Sequence, residues 1–207
     1  MTCAVVTPWV NHLELYDEYI HAMQLGPMPD ELLIVDNASD PPLPFAAFYL
    51  DRNFGFSGGS NAGLQKATAD AVVFLNNDIM ATREGWLDDL VNAIEPGVLV
   101  GARLRNEGHG DVDGMRMPYL DGWCLGGLRE EFLALGGWDE SLQEPSYYGD
   151  NLLCLEARAQ GFTLREVQTG LMHKGGMTTM ANGHLMPSTV ANKVVYENRV
   201  RELVAHE

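Results

Sequence analysis

Apolar and polar positions alternate along the chain in two rhythms. The densest apolar run is Ala71-Val72-Val73-Phe74-Leu75, which ends abruptly in Asn76-Asn77-Asp78. A short continuous run bounded by turn-formers predicts a strand buried on both faces, with the polar triplet at its carboxyl end. Cys3 to Thr7 is a shorter β-prone run ended by Pro8, and Glu31 to Val35 is a second strand that exits into Asp36-Asn37-Ala38-Ser39-Asp40-Pro41-Pro42. Between them Leu15, Tyr16, Tyr19, Ile20 and Met23 place one apolar stripe on a helix that Gly26-Pro27 stops. Trp86, Leu87, Leu90, Val91 and Ile94 repeat that stripe before Pro96-Gly97, and Val98 to Ala102 reads as another strand. Strands alternating with helices predict a doubly wound, mostly parallel sheet with helices on both faces. Ligands in such sheets bind at the carboxyl ends of the strands, where Asp78 stands. An Asx-rich turn is the plain alternative for Asn76 to Asp78.

The remaining segments carry weaker signals. Asp51 to Gly63, rich in Gly and Ser, reads as a turn leading into a helix through Thr68; it either brings backbone N–H groups to a phosphate or is a simple loop with Ser60 as helix cap. It lacks the lysine of a P-loop and the glycine spacing of a dinucleotide fingerprint. Asn106 to Gly114 is polar and aperiodic, a mobile loop near the site or a surface excursion. Arg129 to Leu135 is a short helix closed by Gly136-Gly137, Asn151 to Gln160 a helix with Asp150 at the N-cap position, and Phe162 to Val167 a late strand. His173 stands in a Gly-rich loop, and a Val-rich helix runs from about Ser188.

Composition narrows the classes of function. A hydrophobic fraction of 46% and a charged fraction of 20% describe a globular chain able to bury a substantial core. The net charge of −16 argues against nucleic-acid backbones and anionic membranes as partners. Cys3, Cys124 and Cys154 have neither disulfide-framework nor metal-site spacing. Without a leader pattern or a long apolar run, the sequence predicts a cytoplasmic protein with no membrane association.

The order of motifs resembles glycosyltransferase family 2. Val6-Thr7-Pro8, Val35-Asp36-Asn37-Ala38-Ser39, the stretch Asn53 to Gly63 and Phe74-Leu75-Asn76-Asn77-Asp78 carry the likeness in the first half. Leu135-Gly136-Gly137-Trp138-Asp139-Glu140, Tyr148-Gly149-Asp150, His173 and Asn198-Arg199 carry it in the second. The resemblance implies a single GT-A-like α/β domain over 1–207, with a nucleotide-sugar-binding half (1–104) and a smaller acceptor-side, catalytic half (105–207). It also implies a metal-dependent inverting transfer of one sugar from a UDP-, GDP- or dTDP-sugar to a soluble glycan, protein or small-molecule acceptor.

Residue by residue, the resemblance implies that Thr7, Pro8, Asp36, Asn37, Gly58, Asn61 and Asn77 contact the donor. Asp78 and His173 would hold Mn²⁺ or Mg²⁺, and an imidazole among oxygen ligands suits Mn²⁺ somewhat better. Asp150 would be the catalytic base. Trp123 and Tyr148 are the candidate acceptor contacts, with burial in the core as the alternative for both. Two positions depart from the family pattern: Asn76 stands where an acid is usual, and Gly149 replaces the acid before Asp150. Those departures leave a non-catalytic nucleotide-sugar-binding module as one alternative. A sugar-nucleotide nucleotidyltransferase is another, although Pro8-Trp9-Val10-Asn11 lacks the basic Gly-rich signature expected there.

Overall fold

The computed structural model describes residues 1–142, 146–175 and 186–205. Its strands are β1 (Cys3–Trp9), β2 (Glu31–Asp36), β3 (Phe48–Tyr49), β4 (Ala71–Leu75), β5 (Ile79–Ala81), β6 (Val98–Gly101), β7 (Leu104–Arg105), β8 (Tyr119–Leu120), β9 (Cys124–Leu128), β10 (Thr163–Glu166) and β11 (Leu171–His173). The helices are α1 (Tyr16–Gln24), α2 (Gly55–Lys66), α3 (Trp86–Ala93), α4 (Arg129–Leu135), α5 (Gly149–Ala159) and α6 (Met186–Val204). A seven-stranded sheet runs β10-β6-β9-β4-β1-β2-β3, parallel except for β9, which is antiparallel to both neighbours. Two small ribbons, β5 with β11 and β7 with β8, stand outside it.

The strand expected at Ala71 to Leu75 is buried at every residue. Val73 and Leu75 join Trp9, Tyr19, Met23, Trp86 and Leu90 on one face of the sheet, under α1 and α3. Val72 and Phe74 join Leu64, Phe132, Cys154 and Ala157 on the other, under α2, α4 and α5. This alternation is what a strand covered by helices on both sides requires. A third cluster of Leu142, Tyr148, Leu152, Leu155, Tyr196 and Val200 packs α6 against α5 and forms the smaller subregion.

Three local expectations are corrected, and one strand went unpredicted. Pro8 does not end β1; β1 continues to Trp9, paired to β2 alone after its register with β4 ends at Val6. A strand with one remaining partner tolerates proline. The Gly- and Ser-rich stretch is not a loop, because α2 begins at Gly55 and Ser60 lies inside it, buried and not capping. Glycine costs about 1 kcal/mol in a helix interior, but here it permits contact: a Cβ at Gly59 would lie 2.8 Å from Pro8 Cβ, and one at Gly63 would collide with Val6. The stretch before α4 is a central strand, β9, whose Gly126 and Gly127 fit between Val73, Leu99 and Phe132. Finally, Asp150 is not an N-cap: α5 starts one residue earlier, after Tyr148 at φ 73°, leaving Asp150 in the first turn.

Candidate active site

A cleft of about 520 Å³ opens over the carboxyl ends of β1 and β4. Pro8, Asn37, Asn77, Asp78, Trp123, Tyr148, Asp150 and His173 all line it, so residues from both halves of the chain meet there. Asp78 follows β4 directly. His173 is brought to it by the β5–β11 ribbon, which sets His173 opposite Ile79, and by the Lys174 N–H donating to the Asp78 carbonyl at 2.9 Å. His173 therefore sits on a strand rather than in a free loop.

His173 Nε2 lies 2.9 Å from Asp78 Oδ1 and 3.0 Å from the Asn76 side-chain amide. Asp78 is 5% exposed, and its Oδ1 faces the His173 imidazole. Burial pushes the Asp78 carboxyl up, but the imidazole beside it, its own backbone and Asn76 outweigh burial and hold it below the usual carboxylate range. A buried carboxylate oxygen next to an imidazole nitrogen is a donor set that suits a divalent cation. Two adjacent ligands at ~2.1 Å around an octahedral ion are separated by about 3 Å. Among the described residues no group of three or more His, Cys, Asp or Glu converges, so Asp78 and His173 are at most two side-chain candidates for a cation.

Asp150 lies at the start of α5, across the cleft. The Gly122 N–H donates to its Oδ2 at 2.9 Å and the Asn151 N–H to its Oδ1 at 3.0 Å. Burial, followed by the charge of Asp121, pushes its carboxyl up to about 6 against those two hydrogen bonds. A carboxylate poised there takes a proton near neutral pH more readily than an ordinary aspartate.

Other expected residues lie elsewhere. Thr7 is fully buried and its hydroxyl pairs with Tyr19 at 2.6 Å. Asp36 is 1% exposed, and its two oxygens accept the Ser39 and Leu43 N–H groups of its own loop. Gly58 packs beneath Phe54. Asn61 brackets the Trp138 backbone, accepting from its N–H and donating to its carbonyl, both at 2.8 Å. These four shape the walls and do not line the cleft. Asn37 does both, since its side chain spans the Phe54 N–H and Gly55 carbonyl and so fixes the start of α2.

The aromatic acceptor contacts also change character. Trp123 lines the cleft and stacks on His173, with centroids 5.2 Å apart and planes 8° from parallel. Tyr148 is 4% exposed and stacked between His109 and Tyr196. The loop expected near the site does reach it, through His109, whose proton affinity is lowered by burial and then by the charges of Lys193 and Arg105.

Sequence reasoning missed Arg105 and Asp121. The Arg105 Nε bridges both Asp121 oxygens, at 2.9 and 3.1 Å, and Arg105 is the one Lys or Arg lining the cleft among the described residues. Neither belongs to a motif; only the β7–β8 pairing, Arg105 opposite Tyr119, puts them side by side.

Known proteins share this architecture. A mannosyltransferase from Pyrobaculum calidifontis, solved with GDP-Man and Mn²⁺, superposes with a TM-score of 0.61 at 18% identity, over 79% of this chain and 54% of its own. GalNAc-T7, solved with UDP, GalNAc and Mn²⁺, gives a TM-score of 0.67 at 15% identity, over 84% and 44%. S. aureus TarS 1-349 with UDP gives 0.57 at 16%, over 79% and 57%. The chain thus spans about half the length of these structures. No curated protein matches it by sequence. The family model for glycosyl transferase family 2 matches residues 5–136, which include β1, β2, β4 and the Asp78 end of the cleft. The fold is that of GT-A glycosyltransferases, and the chain belongs to glycosyl transferase family 2.

Proposed function

We propose that the chain moves one sugar from a nucleotide-sugar donor to a hydroxyl acceptor, with inversion and with the help of a divalent cation. The observation that carries this reading is the convergence of two unlike carboxylates on one cleft, Asp78 beside His173 and Asp150 across from them. Asp150 receives the proton of the acceptor hydroxyl as the oxygen bonds to the anomeric carbon. The bond from that carbon to the diphosphate oxygen breaks in the same step, and its electron pair leaves with the diphosphate. Attack from the face opposite the leaving group inverts the anomeric centre.

Asp78 and His173 would hold the cation, which when bound supplies positive charge to the departing diphosphate. Mn²⁺ suits the mixed nitrogen and oxygen pair somewhat better than Mg²⁺. The structures solved with GDP-Man or UDP support a GDP- or UDP-sugar as donor, and a dTDP-sugar stays within the proposed class. The acceptor is a glycan, a protein or a small molecule, met by the half of the chain from 105 onward. The earlier half, 1–104, holds the donor through the Pro8, Asn37 and Asn77 side of the cleft. Among the described residues no helix is long and apolar enough to cross a membrane.

The test is incubation with a panel of nucleotide sugars and Mn²⁺, with and without Asp150→Asn. Release of nucleoside diphosphate by the wild type, lost in the variant, is expected. Pyrophosphate release, or donor binding with no release in the presence of acceptors, contradicts the reading.

A further inference from the structure

The two chemical ends of the cleft are joined by one short turn between β8 and β9. Asp121 anchors its start: the Asp121 N–H donates to the Arg103 carbonyl at 2.9 Å, and its carboxylate takes the Arg105 Nε. The Trp123 indole N–H reaches back to Asp121 Oδ2 at 3.4 Å. From this frame three contacts leave. The Gly122 N–H holds Asp150 Oδ2, the Trp123 ring lies flat on His173, and the Trp123 carbonyl accepts the Asn76 N–H at 2.9 Å. A Cβ at Gly122 would lie 3.1 Å from Asp150 Cβ and 3.2 Å from the Trp138 ring, so the turn is fitted tightly against the residue it holds.

We propose that Asp121-Gly122-Trp123, clamped by Arg105, is a single positioning device that sets the orientation of both Asp150 and His173. The inference rests on the roles proposed above for those two residues, but the device itself is a matter of geometry. Arg105 and Asp121 are positioning residues: they act on the base through the Gly122 N–H and on His173 through the Trp123 ring. The shared frame links the His173 imidazole and the Asp150 carboxylate, which stand on different elements. Outer partners of this kind change metal affinity about 10- to 100-fold when removed.

Asp150 is faced by Asp121 from the turn, Arg105 from β7, Tyr119 from β8, and Tyr148 and Cys154 from α5 and its approach. Arg105→Met leaves Asp121 only the longer Arg103 contact at 3.9 Å and loosens the Gly122 N–H, and both changes favour protonated Asp150.

The experiment is NMR on the full chain with labelled histidine and aspartate, comparing wild type, Arg105→Met, Asp121→Asn and Trp123→Leu. Trp123→Leu should move the His173 ring protons downfield, through loss of the indole ring current. Arg105→Met should reproduce part of that shift and also raise the Asp150 carboxyl midpoint, with a matching fall in kcat at neutral pH. Asp121→Asn should reproduce the His173 shift as well. Mn²⁺ affinity, read by water-proton relaxation with the metal alone, should weaken by about 10-fold in both clamp variants. Circular dichroism checks folding, and Arg105→Lys, which keeps the charge, should restore part of each effect. His173 and Asp150 signals in Arg105→Met and Asp121→Asn that match wild type overturn the proposal. Since these signals need no turnover, failure of the transferase reading would show separately, as a wild type that releases no nucleoside diphosphate.

Discussion

Asp78 and Asp150 are two aspartates lining one cleft whose surroundings shift their proton affinities in opposite directions. At the end of β4, burial is outweighed by an imidazole, the local backbone and an amide, and the Asp78 carboxyl is held below the usual carboxylate range. At the start of α5, burial and the charge of Asp121 outweigh two backbone N–H groups, and the Asp150 carboxyl rises to about 6. One environment favours the anion that the proposed cation role needs; the other favours a proton near neutrality, as the proposed base role needs. The difference follows from what surrounds each carboxylate: a parallel strand end with an imidazole delivered beside Asp78, and a helix start pressed against a second carboxylate beside Asp150.

The largest effect that tests this contrast is on turnover. Asp150→Asn removes the base and should lower kcat about 10²- to 10⁴-fold in a nucleoside diphosphate release assay. Asp78→Asn leaves the imidazole but removes the carboxylate beside it, and should weaken Mn²⁺ affinity about 10- to 100-fold in a relaxation titration. The pH profile separates the two walls next. Asp150 must be ionised to act, so kcat at saturating donor should fall about tenfold per pH unit below about 6 and level off above it. A profile flat down to pH 5 would mean that another group accepts the proton.

The smallest effect is on stability. Because the folded carboxyl of Asp150 is raised, the native state favours the protonated form. Its contribution is fully present below about 3.8, declines as pH rises and is lost once pH passes about 6. Asp150→Asn should therefore gain stability over wild type at pH 7.5, on the order of 1–2 kcal/mol after allowing for partial exposure, and little at pH 4. Denaturant melts at the two pH values check it.

How much of this was legible in the sequence depends on whether a residue acts locally or through the fold. Ala71 to Leu75 announced a doubly buried strand because continuous apolar runs have few other uses, and Asp78 followed from its place at the end. The helical stripes of α1 and α3 were equally plain. Gly55 to Gly63 was misread because glycine and serine favour turns locally, while here contact with Val6 and Pro8 overrides propensity. β9 escaped notice for the same reason, its two glycines serving close packing against neighbouring side chains. Thr7, Asp36 and Asn61 stand at motif positions, yet their polar atoms are taken by Tyr19, by the Asp36 loop and by Trp138. Arg105 and Asp121 left no sequence signal, since their pairing depends on the register of a two-residue ribbon.

The most direct test of two carboxylates with separate tasks is to measure donor affinity and turnover together in the two single variants. Isothermal titration with nucleoside diphosphate and Mn²⁺, paired with the release assay, is sufficient. Asp150→Asn should bind within about threefold of wild type while losing at least about 10² in kcat, whereas Asp78→Asn should lose binding. Equal loss of affinity and turnover in Asp150→Asn would contradict the account.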